Sequence, residues 1–258
     1  MIIIIESRLS KTIKNFYALL AMFMTLSMSL QAQTVKIAAA ANLRYVLEEI
    51  KTKYSGLNPK VNISLNFGSS GTLFQQISNG ADYDIFMAAD RIYPDKLKAR
   101  GIVSGEVTTY AFGKLVLWSN TVDVSKGMEI LTDKSVVRIA IANPELAPYG
   151  ERSVQCLKYY NMFEKLKDKI VYADNIAQAA QYAQTGNAEV GFIALALAMS
   201  PEMKGTYFVL DTKSYKPVEQ AMVLMKSWQN NPEASKFMNF VLSTECKPVF
   251  EKYGYILP

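Results

Sequence analysis

From residue 34 onward the sequence alternates short apolar runs with amphipathic helical patterns, and this alternation is the feature that most limits the fold. Residues 35–40 form a run typical of a buried strand, and residues 43–54 follow it with their apolar side chains on one helical face. The succession continues to the end of the chain without a repeat of fixed period. Strands that alternate with helices predict an α/β fold.

The remaining elements are predicted from the same two periodicities. Further strands are expected at 61–67, 84–88, 116–119, 138–142, 170–173, 190–195 and 221–225. Further helices are expected at 72–78, 95–100, 151–160, 176–185, 232–242 and 248–253. A turn is expected over residues 56–60, because glycine, asparagine and proline cluster there.

Four of the strand-to-helix junctions carry small or hydrogen-bonding residues. They are Ala40-Ala41-Asn42, Gly68-Ser69-Ser70-Gly71, Ala147-Pro148-Tyr149-Gly150 and Asp174-Asn175-Ile176. In an open parallel sheet such junctions lie at the carboxyl ends of the strands, where ligands bind. Any single junction of this kind is explained by helix N-capping. Four together favour a second interpretation, an anion held by N–H and O–H donors at helix starts.

The composition excludes several classes of chemistry. The chain of 258 residues has no histidine, which removes Ser-His-Asp and Cys-His catalysis and His-ligated zinc. Its two cysteines, Cys156 and Cys246, are too few for a disulfide scaffold or a cysteine-built metal cluster. Lysine and arginine are scattered and the net charge is only +5, so no nucleic-acid partner is expected.

The N-terminal segment has the pattern of a secretory signal peptide. Arg8, Lys11 and Lys14 precede an apolar run over residues 16–30, and Ala32 supplies a small residue for cleavage. The run is shorter than the roughly 20 residues of a membrane-spanning helix. We therefore predict that residues 1–32 are removed and that the mature protein is periplasmic. The alternative is a retained N-terminal anchor.

Six blocks of this sequence resemble one known family. They are Ala38-Ala39-Ala40-Ala41-Asn42-Leu43, Phe67-Gly68-Ser69-Ser70-Gly71, Asp84-Ile85-Phe86-Met87-Ala88-Ala89-Asp90, Ala142-Asn143-Pro144-Glu145-Leu146-Ala147-Pro148-Tyr149-Gly150, Asn175-Ile176-Ala177-Gln178-Ala179 and Tyr253-Gly254-Tyr255. In this order they resemble the periplasmic molybdate-binding proteins of bacterial ABC importers, and the likeness extends over nearly the whole chain after residue 32.

The resemblance implies a two-lobed type II periplasmic-binding-protein fold. Each lobe would be a mixed sheet flanked by helices, with the ligand in the cleft between the lobes. Lobe one would comprise residues 34–112 and 218–258, and lobe two residues 113–217. The two crossing strands would lie near 111–118 and 218–225. In that arrangement a bridge between Cys156 and Cys246 would resist closure, so both thiols are expected to be free and buried.

The resemblance also implies the ligand contacts and the function. The oxyanion-binding residues carried over by position are Asn42, Ala41, Ser70, Ser69, Tyr149 and Ile176. Ala41, Tyr149 and Ile176 would act through backbone groups. Some family members donate a tyrosine hydroxyl where this chain has Ala194. That contact is then absent, replaced by Tyr149, or made by backbone.

The expected function is capture of molybdate or tungstate by neutral donors and delivery to the membrane permease of an ABC importer. The protein would be a monomer, would need no cofactor or direct metal ligand, and would not be an enzyme. Three alternatives stay open at this point: a binding protein for sulfate or phosphate, an enzyme acting on an acidic metabolite, and a sensory module of the same fold.

Overall fold

The computed structural model describes residues 33–258, so the predicted signal peptide over residues 1–32 lies outside the described part of the chain. Within 33–258 the strands form two five-stranded sheets. None of the helices between these residues combines the length and the apolar character needed to span a bilayer.

The first sheet contains strands from both ends of the described chain. Its members are β1 Gln33–Ala40, β2 Val61–Gly68, β3 Ile85–Ala88, β4 Val103–Gly113 and β10 Val218–Met225. The strand order is β2-β1-β3-β10-β4. β1 runs parallel to β2 and β3, whereas β10 is antiparallel to β3 and β4. β1 is buried without interruption over residues 37–40, because helices cover both faces of this sheet there.

The second sheet is formed by the middle of the chain. Its members are β5 Leu115–Ser119, β6 Ile139–Ala142, β7 Ile170–Ala173, β8 Val190–Ala194 and β9 Thr206–Val209. The order is β7-β6-β8-β5-β9, with β6 parallel to β7 and β8 and β5 antiparallel to β8 and β9. Two mixed sheets flanked by helices confirm the fold class expected from the sequence.

Helices connect the strands and supply the apolar faces that cover them. They are α1 Arg44–Leu57, α2 Ser70–Ser78, α3 Ile92–Ala99, α4 Pro148–Tyr159, α5 Phe163–Leu166, α6 Ile176–Gln184, α7 Leu195–Ala198, α8 Pro232–Val241 and α9 Lys247–Lys252. Short 3-10 helices occur at Ala41–Leu43, Gly127–Thr132, Lys167–Lys169, Thr212–Ser214 and Lys226–Asn230. α1 shows the common pattern, because its buried residues Val46, Leu47 and Ile50 lie on one side.

The chain crosses between the two sheets at two places. It leaves the first sheet at Lys114, between the end of β4 and the start of β5, as expected. It returns at the start of β10, since Lys216 still donates to Gln155 and Val218 belongs to the core of the second sheet, whereas Met222 belongs to that of the first. This position agrees with the return crossing expected near 218–225. The lobe boundaries themselves stay a prediction.

Three elements differ from the sequence prediction for identifiable reasons. α1 continues through Gly56 to Leu57, so no turn begins at 56; burial of Tyr54 favours the last turn of the helix more than one glycine opposes it. β4 was not predicted, because this sheet-edge strand exposes polar residues such as Glu106. β9 was missed for a related reason, since all four of its residues are exposed at the edge of the second sheet.

The two cysteines lie in separate apolar cores. Cys156 belongs to the cluster around the second sheet, and Cys246 to a cluster on the first. Both are free and buried, as expected. Burial raises the pKa of each thiol to about 11, so both remain protonated at neutral pH.

Candidate functional site

A small cavity lies where helix starts from both sheets meet. The space between its lining atoms amounts to about 190 Å³, part of which is open to solvent. The lining residues are Ala40, Ala41, Asn42, Gly68, Ser69, Ser70, Ala89, Ala147, Pro148, Tyr149 and Ile176. All six residues proposed from the sequence as ligand contacts are among them, so the structure brings the four junctions together around one space.

No charged side chain of residues 33–258 lies in the cavity wall. Its polarity comes from the starts of α2, α4 and α6 and of the 3-10 helix Ala41–Leu43, all of which lie in the wall. The first N–H groups of a helix have no partner within the helix, and the dipoles place partial positive charge at that end. Such a wall favours an anion without a cationic side chain.

Ser70 is the first residue of α2 and is fully buried. Its Oγ accepts a hydrogen bond of 2.9 Å from the backbone N–H of Ala89. That bond occupies the hydroxyl as an acceptor, while the hydroxyl hydrogen finds no acceptor among residues 33–258. The backbone N–H of Ser70 likewise finds no acceptor among these residues. Ser70 therefore offers two free donors at the cavity.

Ser69 lies beside Ser70 but is used by the fold. Its Oγ accepts from the backbone N–H of Thr72 at 3.2 Å and donates to Thr72 Oγ1 at 2.7 Å. Ser69 is thus the N-cap of α2, and its hydroxyl hydrogen is already donated. The capping interpretation that the sequence left open describes Ser69 well, whereas Ser70 makes no such bond.

Asn42 is 1% exposed and its amide joins a network of buried polar side chains. Its Nδ2 donates to Gln220 Oε1 at 2.9 Å and to the Tyr255 hydroxyl at 2.7 Å. Its Oδ1 is buried and has no hydrogen-bond partner among the described residues. In this orientation the side chain has no spare N–H, although the backbone N–H of Asn42 finds no acceptor in the described part of the chain.

The second sheet contributes donors from two helix starts. Tyr149 follows Pro148 at the start of α4, and its backbone N–H has no acceptor among residues 33–258. Asn175 caps α6 by accepting from the N–H groups of Ala177 at 3.0 Å and Gln178 at 3.1 Å. This cap leaves the N–H of Ile176 without an acceptor in the same range.

The phenol of Tyr149 faces the crossing strands. Gln220 Nε2 donates to its hydroxyl at 3.4 Å, and a side chain at Gly113 would collide with that oxygen. Burial raises the pKa of Tyr149 well above its ordinary value, so the hydroxyl is neutral. Ala194 is the last residue of β8 and does not line the cavity. Among the described lining residues, Tyr149 is the one that carries a tyrosine hydroxyl.

Comparison with known proteins identifies the family of this chain. The family model for bacterial extracellular solute-binding proteins matches residues 35–256. The chain belongs to this family. The molybdate-binding protein ModA of Azotobacter vinelandii is 35% identical to it over 234 residues, or 89% of this chain and 92% of that protein. ModA of Rhodobacter capsulatus is 34% identical over 250 residues, or 95% of this chain and 97% of that protein.

A solved structure of a molybdate-binding protein supports the same family assignment. The periplasmic molybdate-binding protein of Azotobacter vinelandii matches this solute-binding protein with a TM-score of 0.81 at 33% identity. The match covers 87% of this chain and 99% of that chain. The family resemblance inferred from the six sequence blocks is therefore confirmed.

Sequence reasoning missed the polar network behind Asn42. Gln220 Oε1 also accepts from the Tyr110 hydroxyl at 3.2 Å, and the Tyr255 hydroxyl donates to the Asn42 carbonyl at 3.2 Å. Gln220 is a fully buried amide within β10. Gln220 directly precedes the apolar run 221–225, and this was the available signal, because a polar side chain beside a buried strand requires partners when it is buried.

The acidic residues near β3 have structural roles. Asp84 Oδ2 accepts from the backbone N–H of Lys36 at 2.8 Å and from Asn231 Nδ2 at 3.0 Å. Asp90 Oδ1 accepts from the N–H of Tyr93 at 3.1 Å at the start of α3. Within the described residues no group of three or more histidine, cysteine or acidic side chains is placed to hold a metal ion.

Proposed function

We propose that this chain is the extracytoplasmic binding component of an ABC importer and that it captures molybdate or tungstate in the cavity between its two sheets. The observation that carries the proposal is the set of buried donors without acceptors in the described chain. They are the backbone N–H groups of Asn42, Ser70, Tyr149 and Ile176 and the hydroxyl of Ser70. The names of the relatives at 34–35% identity support the same ligand.

Neutral donors are sufficient for a fully ionised tetrahedral anion. A hydrogen bond to a charged group contributes about 1.5–3 kcal/mol, roughly twice a neutral one. Several such bonds offset a desolvation cost of several kcal/mol for the ion. Ala41 and Ser69 complete the wall, Ala41 by letting the ligand approach the backbone and Ser69 by holding the start of α2.

The side-chain amide of Asn42 becomes a donor to the anion if its oxygen and nitrogen exchange positions when the anion binds. Its unpartnered Oδ1 would repel a dianion in the cavity. If Asn42 and Gln220 rotate their amides together, Asn42 Oδ1 accepts from Gln220 Nε2 and from the Tyr255 hydroxyl. Gln220 Oε1 then accepts from Tyr149, and Asn42 Nδ2 is free to donate to the anion. The rotation removes the unpartnered oxygen. It moves the Tyr255 hydroxyl hydrogen from the Asn42 carbonyl to Asn42 Oδ1, and it leaves the Tyr110 hydroxyl donating to the Ala88 carbonyl.

The same donor set argues against protonated ligands. Hydrogen phosphate carries an O–H that needs an acceptor, and an O–H without a partner in a buried site weakens binding. Sulfate is fully ionised, so it is the alternative that cavity size must exclude. An enzyme on an acidic metabolite is disfavoured, since neither a histidine nor an acidic or basic side chain lies in the cavity wall.

The family supports a localisation and a partner. The matching family is described as extracellular, and the structurally matched protein as periplasmic. We infer that the chain acts as a periplasmic monomer that hands its ligand to a membrane permease and needs no cofactor. Its signal peptide would be residues 1–32.

Calorimetry with molybdate, tungstate, sulfate and phosphate tests the ligand assignment. Ser70→Ala removes one charge-assisted bond, so we expect molybdate affinity to fall about 10- to 100-fold. Ser69→Ala is the matched comparison; loss of the cap should lower stability by about 1 kcal/mol and, because Ser70 is then less well held, lower affinity only a few-fold. Equal effects of the two variants on affinity, or tighter binding of sulfate than of molybdate, would contradict the proposal.

A further inference from the structure

Two hydrogen bonds beside the cavity join the two halves of the molecule, that is, the first sheet with its helices and the second sheet with its helices. The backbone N–H of Gly71 in α2 donates to the carbonyl of Leu146 at 2.8 Å. The hydroxyl of Tyr93 in α3 donates to the carbonyl of Glu145 at 3.3 Å. Both acceptors lie in the loop between β6 and α4, which belongs to the second sheet, whereas both donors belong to helices of the first.

Gly71 is required here by close approach and not by backbone conformation. Its φ is outside the left-handed region, and it occupies the second position of a helix, where alanine is the better helix former. A Cβ at Gly71 would lie 2.7 Å from the Leu146 carbonyl oxygen, 2.9 Å from Leu146 Cα and 2.6 Å from the Tyr93 hydroxyl. Two of these three atoms are backbone, so a side chain at 71 is incompatible with the shut cleft.

These contacts adjoin the ligand donors on both sides. Gly71 follows Ser70, and Leu146 precedes the cavity residues 147–149. Tyr93 is held in position by its ring, which packs against Phe74 of α2 with the ring centres 5.3 Å apart. When the halves separate, the two hydrogen bonds and the anion's contacts with one half must break together.

We propose that Gly71 and Tyr93 form a latch that holds the cleft shut over the bound anion and thereby sets how slowly the ligand leaves. This inference rests on the proposed function, since it assigns a role to the residues flanking the same site. Gly71 acts as a positioning residue through its backbone N–H and its lack of a side chain. Tyr93 adds one hydrogen bond from outside the cavity wall.

The test compares Gly71→Ala and Tyr93→Phe with a glycine control. Gly56→Ala is the control, because Gly56 also lies in a helix packed on the first sheet and a Cβ there meets nothing within 4 Å. Stopped-flow fluorescence measures anion dissociation, and small-angle scattering measures contraction on binding. We expect Gly71→Ala to fold normally, to show little contraction and to release molybdate at least 10-fold faster. Tyr93→Phe should contract and release the ligand about 2- to 5-fold faster.

Tyr93→Phe also separates the latch from local damage at Ser70, since it leaves the start of α2 unchanged. Wild-type contraction and dissociation in Gly71→Ala would overturn the latch while leaving the proposed function intact, and so would an unchanged rate in Tyr93→Phe. If the wild type binds sulfate or phosphate instead of molybdate, the ligand assignment fails and the same measurements with that anion decide the latch. If it binds none of the four anions, both proposals fail.

Discussion

At the scale of single residues, neighbouring side chains of the same type have different tasks. Ser69 donates its hydroxyl hydrogen to Thr72, whereas Ser70 keeps a hydrogen for the cavity. Asn175 is a helix cap, whereas Asn42 is a buried amide bonded to Gln220 and Tyr255. The partners of each side chain, and not its residue type, separate capping from ligand binding.

Asn42→Asp tests the role of the amide. A carboxylate at this position would face a dianion in a confined site, and like charges placed so close cost several kcal/mol of binding. We expect molybdate affinity to fall at least 100-fold in calorimetry. If Asn42 were only a helix N-cap, Asn42→Asp would have little effect on folding. The side chain is, however, 1% exposed, and a carboxylate there would have no cationic partner in the described chain. Stability should therefore fall as well.

The control for Asn42→Asp is Asn79→Asp, which adds the same charge at an exposed position on the same half of the molecule. It should bind molybdate as the wild type does. Unchanged affinity in Asn42→Asp would remove the Asn42 side chain from the site. A loss of stability without a loss of affinity would show that the amide serves the fold alone.

At the scale of elements, the site depends on where helices begin. Strands β1, β2, β6 and β7 each lead into a helix whose first residues line the cavity. The caps decide which N–H groups remain free. In α6, Asn175 satisfies the second and third N–H groups and leaves the first one, on Ile176, for a ligand.

Asn175→Ala should affect both stability and binding. Loss of the cap lowers the free energy of unfolding by about 1 kcal/mol and lets the first turn of α6 fray. Because the donor on Ile176 is then less well held, we expect molybdate affinity to fall a few-fold. Asp211→Ala is the control, since Asp211 caps the short helix Thr212–Ser214 outside the cavity wall. Urea unfolding and calorimetry measure the two effects, and unchanged affinity in Asn175→Ala would show that Ile176 is not a donor.

At the scale of the whole molecule, the two halves bury charge where they meet. Asp90 follows the cavity residue Ala89 and is 4% exposed. Burial raises its pKa to about 6, while its hydrogen bond from the Tyr93 N–H and the charge of Arg152 on α4 act in the opposite direction. The folded protein therefore binds a proton at Asp90 more tightly than the unfolded chain does.

Stability should consequently fall as the pH rises. The contribution of Asp90 is fully present below its ordinary pKa of 3.8 and is lost as the pH passes through about 6. The substitution Asp90→Asn keeps an acceptor for the Tyr93 N–H and removes the charge. We expect this variant to raise the free energy of unfolding at pH 8 by up to about 3 kcal/mol and to weaken its pH dependence between about pH 4 and 7.

Urea unfolding at pH 4 and pH 8 checks this expectation. Asp95→Asn is the control, because that carboxylate is half exposed on α3, the helix that Asp90 precedes, and pairs at the surface with Arg91. A variant Asp90→Asn with wild-type stability at both pH values would show that the buried carboxylate carries no such cost.

Sequence patterns predicted most reliably the elements that depend on neighbouring residues. Periodicity located β1, β7 and the starts of α6 and α8, since a buried face and a helix start depend on only a few neighbouring residues. It placed the starts of α2, α3 and α4 two or three residues late and did not predict α5 and α7. It failed for β4 and β9, whose polar or exposed residues become strands only because a neighbouring strand supplies their hydrogen bonds.

The sequence by itself determined the alternation of strands and helices, the absence of histidine chemistry and the four junctions that offer donors. Tertiary structure alone decided that Ser69 is a cap and Ser70 a free donor, and that Asn42 meets Gln220 across 178 residues. It also decided that Gly71 must lack a side chain because Leu146 lies against it. These contacts join residues far apart in the chain, and residue type and spacing carry no information about which distant group will approach.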